Sequence, residues 1–88
     1  MILQFAFSKR IPRMSKLDIV DCRQYMSNCF SRKAAIAHPG FERAVQDGIK
    51  ILNRSGAVAI GCHQGRHRSV AVAEEISKRT GFSVSRLT

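Results

Sequence analysis

The chain has 88 residues, enough for one domain with a small core. Apolar residues make up 44% and charged residues 24%, which excludes a wholly disordered chain. Fifteen Lys and Arg against six Asp and Glu leave a formal charge of +9, and such a surface attracts polyanions, nucleic acid before anionic membrane.

No apolar run approaches a membrane span in length. The start, "MILQFAFSKRIP", lacks the leading charge and cleavage-type tail of a secretory signal and reads as a strand. "ILQFAF" alternates loosely and is rich in β-formers, which predicts a first strand ending at the basic "SKR". Pro12 interrupts. A second short strand is expected over Leu17–Cys22. The following "QYMSNCFSRKAAIAH" has no clear period and suits a loop with a short helical turn near Ala34–Ala37. "HPGFERAVQDGIKILN" predicts a helix, because Phe41, Ala44, Val45, Ile49 and Leu52 share one face with Gly48. Pro39, Gly40 and Glu42 suit its start, and "NRSG" stops it.

"AVAIGC" is apolar throughout, as a buried strand is. A second helix is expected from Ser69 to Thr80, with Val70, Val72, Ala73 and Ile76 on its apolar face and Gly81 as its cap. "FSVSRL" completes the pattern as a last strand. The order β-β-loop-α-β-α-β implies a single small α/β domain over residues 1–88, with helices packed on a mixed or parallel sheet.

Between the apolar strand and the last helix lies "CHQGRHRS", Cys62–Ser69. In α/β sheets ligands bind beyond the carboxyl ends of strands, and a helix start presents free N–H groups to an anion. Gly65 allows positive φ or close backbone approach. Arg68 can grip phosphate oxygens, and Ser69 can cap the helix or add a hydroxyl donor. Three cations, Arg66, His67 and Arg68, oppose the dipole at a helix start unless an anion is present. The candidate anion-binding residues are therefore His63, Gln64, Gly65, Arg66, His67, Arg68 and Ser69, with Arg23 added if its strand end is adjacent. The loop is P-loop-like in position only, since G-x-x-x-x-G-K-[ST] is absent.

Three chemistries fit this loop. One is a phosphate or RNA pocket, with Cys62 as packing and His63 or His67 tuning the site with pH. Another is a cysteine phosphatase of the C-x-x-G-x-x-R type, with Cys62 as nucleophile, Arg68 as phosphate ligand and Asp21 or Asp18 as acid. A metal site on Cys62, His63 and His67 lacks a second ligand pair, so no metal and no cofactor is expected. The odd count of cysteines, Cys22, Cys29 and Cys62, suggests free thiols in a reducing, cytoplasmic setting.

The sequence "IGCHQGRHRSV" resembles the "IGC" strand and "GG-x-HRSV" loop of the C-terminal domain of the RapZ family of RNase adapters, with Gln64 in place of the first glycine. "FAFSKRIP" looks like that family's "FGFK-x-GIP", and "DIVDCR" looks like its "DLVFDVR". The resemblance implies a shortened, stand-alone domain without the family's kinase-like nucleotide-binding domain. It further implies RNA binding through basic surface and a phosphorylated small ligand, an amino-sugar phosphate in one branch, at the loop. The basic clusters Lys9, Arg10, Arg13, Lys16 and Arg32, Lys33 suit RNA phosphates better than base reading, with Tyr25 and Phe30 the aromatics nearby. A protein partner such as an RNase is a further expectation, and so is a protein-interaction module imitating a larger adapter. Self-association through a sheet edge fits so short a domain.

Overall fold

The computed structural model describes residues 1–87. Its elements are β1 (Ile2–Ala6), a 3-10 turn (Lys16–Asp18), β2 (Ile19–Asp21), α1 (Cys22–Tyr25), α2 (Arg32–Ala37), α3 (Phe41–Ser55), β3 (Val58–Cys62), α4 (Arg68–Thr80) and β4 (Val84–Arg86). The four strands form one sheet in the order β2-β3-β1-β4, parallel at every pairing. β3, buried along its whole length, lies between β2 and β1 as a run without polar side chains requires.

Register and alternation sort the side chains. Ile2 pairs with Val58, Gln4 with Ile60 and Ala6 with Cys62, so these six share one face. Val20, opposite Ile60, joins them. Helices α3 and α4 pack on that face: Ile2, Val20, Val58, Ile60 and Cys62 meet Ala44, Val45, Leu52, Val72, Ala73 and Ile76 in one buried cluster. Gly48 lets α3 approach, since a Cβ there would strike the Ile76 side chain.

Leu3, Phe5, Ala59 and Gly61 line the opposite face. The connection from β1 to β2 must step over β3 in the direction opposite to the later crossovers. Right-handedness then sends residues 7–18 across this second face. Phe7, Ile11 and Lys16 accordingly line a cleft there with Ile19 and Asp21. Parallel sheets normally carry helices on both faces; here the second is covered by a segment whose only helix is one 3-10 turn.

Several boundaries differ from the sequence expectations for local reasons. The second strand is shorter than Leu17–Cys22, because Asp21 accepts the Arg23 N–H and turns the chain into α1 at Cys22. The segment read as a loop with a turn contains α2, which Ser31 caps through the Ala34 N–H. The next helix starts at Phe41, after a turn in which His38 Nδ1 accepts the Gly40 N–H. On α4 the buried positions are Ser69, Ala71, Val72, Ala73 and Ile76, and Val70 is half-buried.

Gly61 faces Phe5 on the second layer, and a Cβ there would run into the buried ring. Gly61→Ala is expected to destabilise the fold by about 1–3 kcal/mol through overpacking, read as a lower urea midpoint at unchanged slope.

Candidate anion-binding loop

The polypeptide leaves β3 toward the helix-covered face and leaves its neighbour β1 toward the other, so the carboxyl ends of these two strands bound the crevice where ligands enter open α/β sheets. The two strands stay joined past their ends, with the Phe7 N–H on the Cys62 carbonyl and the Ser8 N–H on the His63 carbonyl, both at 2.9 Å. The loop 63–67 crosses the head of this crevice. Gly65 turns it at φ +68°, and a Cβ there would lie 2.8 Å from the Ala6 Cβ. Both the dihedral and the contact call for glycine.

Helix α4 has no side-chain cap at His67. The N–H groups of Gly65 in the loop and of His67 and Ser69 at the helix start act on the Cys62 sulfur. Ser69 lies inside the first turn instead of capping it. Its hydroxyl is 3.1 Å from Cys62 Sγ and accepts from Gln4 Nε2 at 2.8 Å. An amide nitrogen only donates, so Ser69 accepts from Gln4 and its own proton is free for the sulfur, the direction a thiolate requires. Burial pushes the Cys62 thiol up, but the Ser69 hydroxyl and the three N–H groups outweigh it, and the net shift is downward. The neighbouring Cys22 thiol moves the other way, raised by burial and then by Cys62 and Asp21.

Gln4, one of the few buried polar residues, organises this arrangement. Its Nε2 also donates to the Gly65 carbonyl at 3.1 Å, and its Oε1 accepts from Arg86 Nε at 2.9 Å. Arg86 donates a second bond to the Gly65 carbonyl, at 3.1 Å. Neither residue stood out in the sequence. The available signal was positional: Gln4 lies between Leu3 and Phe5, in phase with Ile2 and Ala6, and so belongs to the core face.

Two cavities flank the loop. One, of about 290 Å³, is lined by Asn28, Cys29, Phe30, Cys62, His63, Gln64, Arg66, His67 and Arg68. Arg68 is held there by donating to the Met26 carbonyl at 3.0 Å. Phe30 is 81% exposed at this cavity, next to Asn28 in the left-handed region at φ 57°. The other, of about 260 Å³, is lined by Gln4, Ala6, Lys9, Gln64, Gly65, Arg66, Arg86 and Leu87. Among the described residues, neither lining contains a carboxylate.

All six side-chain carboxylates are engaged away from the loop. Asp21 pairs with Arg23, Asp18 with Arg54, Glu74 with Arg32, and Glu42 and Glu75 with Arg79. Asp47 accepts the Tyr25 hydroxyl at 2.6 Å. Arg79 and Gln46 hold the Glu42 carboxyl down at about 2.

Other sequence candidates are placed elsewhere. Arg23 does not line the Arg68 cavity; it is bidentate on Asp21 and lies 3.8 Å over the Phe7 ring. Asp21, in register with Gly61, sits on the face opposite Cys62. Asp18 is at the start of β2, bonded to Arg54 and Ser55. Lys9, Arg10, Arg13 and Lys16 lie on the 7–18 crossover, whereas Arg32 and Lys33 line a separate groove with Ile36, Glu74 and Lys78. No group of three His, Cys, Asp or Glu among the described residues is arranged to hold a metal ion, and no described helix is long and apolar enough to cross a membrane.

Residues 50–86 match the family model of the RapZ C-terminal domain. The match runs from within α3 through β3, the loop and α4 to β4, so it contains the RapZ-type loop in full. A nucleotide-binding protein of Rubrobacter xylanophilus is 39% identical over 61 residues, covering 57% of this chain and 20% of that protein. A nucleotide-binding protein of Salinispora arenicola is 49% identical over 45 residues, covering 51% of this chain and 13% of that protein. The chain thus corresponds to a fifth or less of the relatives it resembles. No solved structure matches.

The hydrogen bonds fix an order of dependence. Gln4→Leu is expected to cost about 1–3 kcal/mol, because Ser69, the Gly65 carbonyl and Arg86 lose a buried partner. With Ser69 no longer oriented, the midpoint of Cys62 alkylation against pH should rise toward that of a free thiol. The intact protein, whose sulfur is shifted down, should alkylate with a midpoint below that value.

Proposed function

We propose that the loop Cys62–Ser69 holds the phosphate group of RNA or of a phosphorylated small ligand, a nucleotide or sugar phosphate. The observation that carries this reading is the unpaired charge at the loop: Arg66 and Arg68 line, with His67, a cavity without a carboxylate among its described residues, while every acidic side chain is engaged elsewhere. Arg68 is fixed by a neutral carbonyl, which leaves its charge for an anion. The names of the two relatives agree with this ligand class. Phe30 favours a ligand with a flat ring beside its phosphate, since an exposed aromatic is a stacking platform for a base. Lys9, Arg10, Arg13 and Lys16 on one side and Lys33 on the other extend the reading to the RNA backbone. An adapter role toward a protein such as an RNase, or a second copy of the chain, belongs to the same reading.

Arg68→Ala should weaken binding of a short single-stranded RNA, or of a hexosamine phosphate, on the order of 10- to 100-fold at fixed low salt. Arg23→Ala should change it little. Unchanged affinity in Arg68→Ala would overturn the pocket assignment. Phe30→Ala separates the ligand classes, since it should weaken RNA and leave the sugar phosphate nearly unaffected.

One observation favours a second reading, a small cysteine-dependent phosphatase: four donors on Cys62 Sγ stabilise a thiolate at the floor of the same cavity. Asp21 and Asp18, the acids that reading would use, are ion-paired away from the cavity. Turnover of an aryl phosphate that disappears in Cys62→Ser would support the enzyme. Absence of turnover in the parent chain would leave binding alone.

A further inference from the structure

Cys22 and Cys62 are neighbours across the sheet. Asp21↔Gly61 is the last pair between β2 and β3, and the next step along both chains brings Cys22 beside Cys62. Cys62 lies with Val20 and Ile60 on the helix-covered face, Cys22 opens α1 directly after β2, both belong to the one buried cluster, and Cys62 acts electrostatically on Cys22. Each cysteine is the next residue after a member of the register pair Asp21↔Gly61; paired strands lie about 4.8 Å apart, and disulfides span roughly 4.4–6.8 Å between Cα atoms. All three cysteines are free thiols.

The two sulfurs are chemically unequal. Cys62 Sγ is the focus of four donors and lines a cavity open to solvent, so it has thiolate character and a route for a small uncharged oxidant. Cys22 is fully buried and keeps its proton. Cys29 lines the same cavity, but its thiol donates to the Ser27 carbonyl at 3.7 Å, and it belongs to the segment after α1, not to a strand end.

We propose that Cys62 is a modification site for hydrogen peroxide, with Cys22 as the thiol that resolves the oxidised sulfur into an intrachain disulfide. The Cys62 thiolate attacks one peroxide oxygen; the O–O bond breaks and hydroxide leaves, taking a proton to become water. Cys62 is then a sulfenic acid. The Cys22 sulfur attacks the sulfenic sulfur, the S–O bond breaks, and the departing hydroxide leaves as water with the Cys22 proton. Two thiols lose two electrons to one peroxide, and two waters form. Once joined to Cys22, the Cys62 sulfur no longer accepts the N–H groups of Gly65, His67 and Ser69, so the loop must find them another acceptor. This inference is independent of the ligand assigned to the loop.

Peroxide treatment followed by intact mass and non-reducing peptide mapping tests it. The parent chain should lose two hydrogens and yield a Cys22–Cys62 linked peptide that dithiothreitol reverses. Cys29→Ser should form the same link at a rate within about twofold of the parent. Cys22→Ala should form no link, should leave a Cys62 sulfenic acid that dimedone traps, and should pass to the sulfinic acid about tenfold faster than the parent. A Cys62–Cys29 link, a link between chains, or sulfinic acid in the parent at the rate of Cys22→Ala would each overturn the proposal. If Cys22→Ala fails to fold, the linked peptides of the parent and of Cys29→Ser decide alone.

Discussion

The arrangement at the carboxyl end of the sheet depends on one buried amide. Gln4 donates to Ser69 and to the Gly65 carbonyl and accepts from Arg86, so strand β1, the loop, helix α4 and strand β4 are tied through one side chain. Its direction of donation decides the polarity of the rest. Because Ser69 accepts from Gln4, its own proton is free for the Cys62 sulfur. The N–H groups of the helix start converge on the same atom. An apolar residue at position 4 would fill the space and leave the chemistry undirected.

Charge is distributed as unevenly as the polar bonds. With six acids for fifteen basic side chains, the fold places its carboxylates along α3 and α4, at Arg23 and at the start of β2. Exposed pairs of this kind add little stability each. Their larger effect is subtractive: they leave the two cavities beside the loop without a side-chain carboxylate in their described linings. A net charge says that a polyanion partner fits; the placement of the acids says where.

Much of the frame was legible in the sequence because it rests on apolar period. The run Val58–Cys62, the stripe of α3 and the glycine of the loop each have one local explanation, and together they locate the strand–loop–helix unit. What escaped lies where side chains act across the chain. Gln4 reads as a polar residue on an alternating strand, and only the register with β3 makes it a core residue. Arg86 sits on a short exposed edge strand with no pattern to mark it. The segment 22–37 was opaque because α1 and α2 span four and six residues; they are held by the Asp21 and Ser31 caps and are too short for a period to show. Arg23 was ambiguous for want of a partner's position, and the bidentate contact with Asp21 supplies it.

The order of strands in space also bears on how the chain becomes a protein. Of the four strands β1 comes first in the chain, yet its two neighbours are β3 and β4, the last two. Every ladder bond of β1 therefore spans more than fifty residues, as in the pairs Ile2↔Val58 and Ile2↔Val84. Closing such long loops precedes any reward from pairing. β1 therefore has no strand partner until β3 is available. Assembly can begin instead from the contiguous unit α3–β3–α4, whose contacts are local. The loop Cys62–Ser69 belongs to that unit, whereas the amide that orients it, Gln4, comes from β1 and reaches it only through the long-range pairing with β3 and β4.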